Sequence, residues 1–422
     1  MPWWWILLAA IGGGVVTLVL QNFTTAEKKI RYEIDPDFGI EDPRFRRMVS
    51  SLLGPPLVPG NRIQALQNGD RIFPAMLAAI RSAQRSICFE TYIYWSGTIA
   101  RELSEALAER ARAGIPVHVV LDGQGAGKLE TSLVDLMADA GVQIEKFHPI
   151  RWRTISRMNN RTHRKLLIID GITGFTGGVG IANQWRGDAQ DKDHWRDMHF
   201  RVEGPVVAQI QAAFMDNWLK TRAEVLLGDA YFPSLEAVGE VPMQLFKSSP
   251  DEGSESVRLM FLLSIASARR TLRIENAYFV PDDLSVQTLC SAARRGVRIQ
   301  VIVPGQIIDT HITRRASRAR WGPLLDAGLE IHEFQPTMFH CKMMIVDDVW
   351  VSVGSTNFDS RSFRLNAEAN LNIYDRAFAA EQIAVFDTDL ARSRRVSPEA
   401  WRARPLSEMI VEHAAALVRS QL

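Results

Sequence analysis

Three cysteines, Cys88, Cys290 and Cys341, are all that this 422-residue chain contains. They are too few and too scattered for a disulfide framework or a thiolate zinc site, so an oxidising compartment is not required. An excess of one charge is missing as well. Lys and Arg total 49 against 48 Asp and Glu, a net charge of +1, which leaves no global basic field to draw in nucleic acid. No carboxylate cluster suggests a metal. Asp188, Asp191, Asp193 and His194 stand close together, but their segment reads as a polar loop. What remains is the composition of a folded globular protein, 46% apolar and 23% charged, long enough for two domains with a core each.

One long apolar run breaks that pattern. Pro2 to Leu20 is 19 residues without a charge, about the length that crosses a hydrocarbon core of roughly 30 Å. Trp3, Trp4 and Trp5 sit at one end, where indoles favour the headgroup region, and Lys28, Lys29 and Arg31 follow the other. A secretory signal would begin with a basic segment and carry a shorter apolar core, and Thr24-x-Ala26 is a poor cleavage site. The expectation is an uncleaved single-pass anchor over 2–23 in a membrane, with a cleaved signal or a lipid-lying helix as alternatives. The basic flank favours a cytoplasmic body.

The most informative feature is a short pattern that occurs twice. His163-Arg164-Lys165 runs on through an apolar stretch to Asp170, and His340-Cys341-Lys342 does the same to Asp347. Both read H-x-K-x4-D, a coincidence expected in only about one chain in a few thousand of this length. The surroundings repeat too. Ile87–Tyr94 and Leu272–Phe279 are strand-like, each with an acidic residue, Glu90 or Glu275. A helix, a glycine and a strand follow in each half: Leu103–Ala113, Gly114 and Val117–Leu121, then Leu284–Arg295, Gly296 and Val297–Val303. A second such unit holds Gly141 in the first half and Gly328 in the second. This alternation predicts an α/β fold with a mixed sheet flanked by helices in each half. The expected domains are 40–230 and 240–415, with the seam in the Gly-, Pro- and Ser-rich stretch 228–256.

Alternate residues of a strand share a face, so His163 and Lys165 point together, as do His340 and Lys342. Asp170 and Asp347 have the opposite parity and stand at the strand ends, where they would shape turns. Two imidazoles meeting across a pseudo-twofold axis can divide a displacement at phosphorus: a neutral one attacks and a protonated one donates to the leaving oxygen. Two ammonium groups would hold the non-bridging oxygens. Small residues follow each hairpin, Gly177 and Gly178 in one half and Gly354 and Ser355 in the other, where backbone can approach a phosphate. Asn183 and Asn357 are candidate polar contacts. Asp197 and Glu368 are candidates for the acceptors that fix each imidazole's tautomer.

These residues closely resemble the phospholipase D superfamily and, within it, the bacterial cardiolipin synthases. The resemblance is carried by Asn160-Arg161-x-His163-Arg164-Lys165, Gly174–Gly178, His194–Asp197, His340-x-Lys342 and the run from Gly354 to Glu368. It covers nearly all of residues 65–415. It implies two similar phospholipase D-like domains with one active site at their interface, a phosphohistidine intermediate and turnover without cofactor. His163 would be the nucleophile and His340 the acid and base. The substrate would be phosphatidylglycerol, converted to cardiolipin with release of glycerol at the bacterial inner membrane. Hydrolysis to phosphatidic acid, an endonuclease activity and a non-catalytic lipid-binding role are the competing readings.

Weaker signals stay open at this level. Arg151, Trp152, Arg153, Arg157 and Arg161 precede the first motif, and Arg314, Arg315, Arg318 and Arg320 the second; they suit anionic headgroups or a plain solvated face. Glu90 and Glu275 suit a shared supporting role or strand-edge solvation. Leu406, Met409, Ile410, Ala414, Leu417 and Val418 share one helical face, expected to pack on the core, with a membrane-surface helix as the alternative.

Overall fold

The computed structural model describes residues 2–21, 30, 32–149, 159–249, 256–417 and 419. The first half supplies strands β1 (Val58–Gln67), β2 (Ile87–Thr91), β3 (Val117–Asp122), β4 (Gln143–Phe147), β5 (Arg161–Thr162), β6 (Leu166–Ile169), β7 (Thr173–Gly177) and β8 (Met198–Glu203). The second supplies β9 (Val241–Ser248), β10 (Thr271–Asn276), β11 (Arg298–Pro304), β12 (Glu330–Phe334), β13 (Lys342–Val346), β14 (Trp350–Gly354), β15 (Asn366–Tyr374) and β16 (Ser393–Arg395). Reading outward from the junction of β1 and β9, one half runs β1-β8-β7-β6-β2-β3-β4 and the other β9-β15-β14-β13-β10-β11-β12. The two orders match strand for strand. β2, β3 and β4 are parallel to one another, and so are β10, β11 and β12; the strands between them and the junction pair antiparallel. The chain therefore has the two-fold repeated, mixed α/β architecture expected.

The junction lies inside the stretch whose composition suggested a seam. Gly and Pro dominate its flanks, but Val241–Ser248 pairs with β15 over six residues and with β1 beyond a register shift. The two halves thus share one continuous sheet. Its central core is common property: Phe200, Phe214 and Trp218 of the first half pack with Leu371, Phe378 and Phe386 of the second.

Local chemistry explains the two hairpins that carry the motifs. Asp170 and Gly171 have φ of +57° and +70°, as in a type I′ turn, closed by Ile172 N donating to Ile169 O at 3.0 Å. Asp347 and Asp348 repeat it with φ of +51° and +57° but without a glycine. The aspartates secure these corners. The Asp170 carboxylate accepts the backbone amides of Gln84, Arg85 and Ser86, and the Asp347 carboxylate those of Arg269, Arg270 and Thr271 at 2.7–2.9 Å. Each acid clamps its hairpin to the start of the neighbouring strand. Asp347→Ala is expected to cost about 3–5 kcal/mol, since three amides lose an ionised acceptor and a non-glycine residue keeps positive φ. Denaturant titration measures this as a lower midpoint; an unchanged midpoint would remove the clamp from the account.

Two expectations about helices meet a different structure. Trp3–Gln21 is a helix of 19 residues, about 28 Å long. Among the described residues, no helix is long and apolar enough to cross a membrane. Positions 22 and 23 of the expected span, and the side chains at 15 and 18–21, lie outside the described residues. Leu406–Ala416 is also a helix, but its apolar stripe does not pack on the core. Glu412 and Ala415 face inward instead, and Leu406 and Ile410 are exposed. Charge pairing decides the rotation: Arg318 Nε donates to Glu412 Oε1 at 2.6 Å and Arg404 Nε to Oε2 at 2.9 Å.

Candidate active site

Each motif enters its half by way of the other half. β5 runs parallel to the start of β15, pairing Arg161 with Asn366 and Thr162 with Ala367, and His163 N donates to Ala367 O at 2.8 Å. In the second half, Phe339 pairs in parallel with Arg196, and His340 N donates to Arg196 O at 2.8 Å. The residue after each of these partners is an acid. As a result the carboxylates are crossed. His163 Nδ1 lies 3.1 and 3.0 Å from Glu368 Oε1 and Oε2, and His340 Nδ1 lies 2.7 Å from Asp197 Oδ2. An ionised carboxylate only accepts, so each Nδ1 carries the proton and Nε2 is left for chemistry.

The acids are held in turn. Ser355 Oγ donates to Glu368 Oε2 at 2.5 Å and Asn366 Nδ2 to Oε1 at 3.2 Å. Asp197 receives Trp185 Nε1 at 2.8 Å and the Met198 amide at 2.8 Å. Gly178 occupies the place of Ser355 in the first half, and a Cβ there would stand 2.2 Å from Asp197 Oδ1. Glycine at that position is a packing requirement of the shorter acid. Gly177 ends β7 against His199 and Met198 rather than facing an open cavity.

Burial governs the electrostatics. Desolvation pushes the His163 imidazole down to about 4, although Glu368 acts against it, and pushes the Lys165 ammonium down to about 7. Burial, then Lys342, lowers His340, and burial lowers Lys342 itself. Asp197 and Glu368 stay below the usual carboxylate range: burial opposes ionisation, but the neighbouring imidazole, lysine and hydrogen-bond donors outweigh it. The site therefore holds a neutral His163 on an ionised acid, and a His340 whose proton Asp197 helps to keep.

His163, Lys165 and His340 open on one cavity of about 370 Å³. Aromatic rings wall it. The Tyr92 ring is 5.1 Å from that of His163, and Trp185 and Trp195 are 5.3 and 5.6 Å from His340. Such walls lower the polarity around the imidazoles. The two lysines are not equivalent. Lys165 faces the cavity while donating to His163 O at 2.8 Å. Lys342 is tucked beneath the His340 ring, 3.1 Å from Nδ1, and donates to His340 O at 2.6 Å.

The other candidates divide between wall and scaffold. Asn357 lines the cavity, and its Oδ1 has no hydrogen-bond partner among the described residues. Asn183 does not: its Oδ1 accepts the Ile99 amide at 3.3 Å and packs against Gly97. Asp170 and Asp347 are in the hairpin corners. Glu90 and Glu275 are fully buried, which rules out strand-edge solvation. Glu90 accepts from Asn217 at 2.6 Å and from Thr162, the neighbour of His163. Glu275 joins Cys341 and Asp389 in a trio whose ligand-type atoms lie within 4.8 Å. Arg196 already pairs with Asp389 at 2.7 Å, and burial raises Glu275 and the Cys341 thiol toward their neutral forms, so the trio reads as two neutral groups beside one buried ion pair behind His340.

Of the basic residues before the first motif, Arg151, Trp152, Arg153 and Arg157 lie outside the described residues. Arg161 is buried in the cavity wall, donating to His148 O at 2.9 Å. In the second group Arg314, Arg318 and Arg320 are paired with Glu333, Glu412 and Asp283. Sequence reasoning passed over Asp359, which lines the cavity, caps the helix Ser360–Arg364 and is pushed up to about 7 by burial. It also passed over Trp185 and Tyr278. Asp359, inside the run from Gly354 to Glu368, and Trp195, beside Arg196-Asp197, carried a signal.

A family model described as cardiolipin synthase, phospholipase D-like domain matches residues 76–218 and 262–390. Cardiolipin synthase 2 of Bacillus anthracis is 33% identical over 352 residues, spanning 83% of this chain and 68% of that protein. The major cardiolipin synthase ClsA of Bacillus subtilis is 33% identical over 361 residues, 85% of this chain and 75% of that one. Among solved structures, phosphatidylserine synthase from Haemophilus influenzae Rd KW20 superposes with a TM-score of 0.64 at 15% identity, covering 89% of this chain and 99% of its own. That likeness is one of fold.

Proposed function

This chain belongs to the cardiolipin synthase family of phospholipase D-like proteins, and on that premise we propose that it joins two phosphatidylglycerol molecules into cardiolipin and releases glycerol. It is a phosphatidyltransferase. The observation that carries the mechanism is the pair of motif histidines, each buried on a carboxylate from the opposite half and both facing one cavity.

The neutral His163 attacks phosphorus through Nε2. The P–N bond forms as the bond to the glycerol oxygen breaks, and protonated His340 gives its proton to that oxygen. The headgroup hydroxyl of the second phosphatidylglycerol then passes its proton to His340 and attacks phosphorus, and the P–N bond breaks. Lys165 offsets charge on the non-bridging oxygens, and Lys342 acts through the His340 ring it supports.

The chain works at the bacterial inner membrane, its body on the cytoplasmic side. Helix Trp3–Gln21, uncharged throughout, attaches the chain to that membrane at its N-terminal end. Support comes from its lack of charge and from the exposure of Trp3, Ile6 and Ile11.

Detergent-solubilised full-length protein given labelled phosphatidylglycerol is expected to yield cardiolipin and an equal amount of glycerol. Phosphatidic acid as the sole lipid product would replace transfer with hydrolysis.

A further inference from the structure

Two second-half helices of eight residues or more have no counterpart in the first half among the described residues. His311–Arg318 is inserted after β11, where the first half has only the turn 123–130 between β3 and its next helix. Leu406–Ala416 follows the last strand and packs against that inserted helix. The two are joined by the Arg318–Glu412 pair and by a small buried contact of Ala316, Ala415 and Val280. Because Glu412 and Ala415 face inward, the opposite side of the terminal helix is turned to solvent. It carries Leu406, Ile410 and, one residue past the helix, Leu417, at 75%, 69% and 85% exposure. Positions 406, 410 and 417 fall within about 40° of one another around a helix, so they form a single stripe. Ile312 on the neighbouring helix adds a further exposed apolar side chain.

The inserted helix has a second face. Thr310 at its N-cap and Thr313 in its first turn line the catalytic cavity, together with Asp309. One short element thus separates the cavity from the surface that bears the stripe. Arg315, on the same helix, is exposed and makes no ion pair among the described residues, unlike Arg314 and Arg318 beside it.

We propose that this helix pair seats the chain on a phospholipid bilayer: Leu406, Ile410, Leu417 and Ile312 enter the acyl boundary, and Arg315 meets anionic headgroup phosphates. Lipid then passes to the cavity along the Thr310–Thr313 side without crossing bulk water. The proposal rests on the phosphatidyltransferase reading for its lipid. Charge and size both favour a bilayer over a second protein. The free charge beside the stripe is basic. An 11-residue helix is about 16 Å long, and three or four side chains on it fall well short of the ~800 Å² per partner of a stable protein interface.

The test uses the full-length chain with Ile410→Cys carrying an environment-sensitive fluorophore; the three native cysteines are buried and spare the labelling. Added phosphatidylglycerol/phosphatidylethanolamine vesicles are expected to shift the emission to the blue at least twofold in intensity, with quenching by acyl-chain spin labels. The same label at Asp139→Cys, at the opposite end of the sheet, should not respond. A triple variant, Leu406→Ser, Ile410→Ser and Leu417→Ser, should turn over vesicle phosphatidylglycerol at least tenfold more slowly. It should keep wild-type turnover of a short-chain phosphatidylglycerol dispersed as monomers. A silent label at 410, a blue shift that appears on concentrating the protein without lipid, or undiminished vesicle turnover would each overturn the proposal. Failure of both proteins on the monomeric substrate would instead strike the functional reading, while the label still decides the seating.

Discussion

His163→Ala should abolish phosphatidyl transfer, by at least about 10⁴-fold, because it removes the atom that bonds to phosphorus. His340→Ala should slow overall turnover nearly as much, since both the departing glycerol and the incoming hydroxyl need a proton partner. The two variants separate on a substrate whose leaving group needs no proton. With a p-nitrophenyl ester of phosphatidic acid, His340→Ala should release a burst of nitrophenol close to one per active site and then stall. The lipid should remain attached to the protein through an acid-labile P–N bond. His163→Ala should give neither burst nor attached lipid. A burst from His163→Ala and none from His340→Ala would exchange the two roles, a real contest in so symmetric a fold. Attached lipid in neither variant, with full wild-type turnover in one of them, would end the two-histidine mechanism.

Local patterns made much of this readable from the chain. The helix–glycine–strand units depend on residues a few positions apart, and the positive φ at Gly296 and Gly328 is where the sequence placed helix ends. The motif parity is local too, which is why Asp170 and Asp347 could be assigned to turns before their partners were known. Other features depend on contacts that no local pattern encodes. Glu368 is 205 positions from His163 and Asp197 is 143 from His340. The crossing arises only because β5 lies beside β15 and Arg196 beside Phe339. β9 was hidden within the seam stretch, because its apolar alternation is short and framed by loop-forming residues. Periodicity detected the stripe on Leu406–Ala416 but carried no information on its direction. One buried acid, Glu412, set that. Asn183 looked like a pocket residue because a polar side chain after a glycine-rich run suits a phosphate equally well as a helix start.

Because the carboxylates are crossed, an acid changed in one half should alter the titration of the histidine in the other. For the wild-type chain, kcat/KM should rise with pH through about 4, as His163 loses its proton. It should fall by about 7, as Lys165 gives up its charge and His340, lowered by burial, runs short of protonated form. Glu368→Gln keeps the size of the side chain but removes the charge that supports His163⁺. The acid limb should then move to lower pH while the plateau drops roughly 10²–10⁴-fold, since an amide can orient the imidazole in the wrong tautomer. Asp197→Asn removes the charge that sustains His340⁺, so the alkaline limb should begin at lower pH and the plateau should again fall by orders of magnitude. Glu368 also supports the Lys165 charge, so Glu368→Gln should lower the alkaline limb as well, whereas Asp197→Asn should leave the acid limb in place. Loss of amplitude with both limbs unmoved would reduce the acids to packing groups. Movement of the acid limb in Asp197→Asn would pair the residues differently from the geometry at Nδ1. Combining both substitutions should displace both limbs at once and cost less than the product of the single losses, as groups that serve one reaction sequence do.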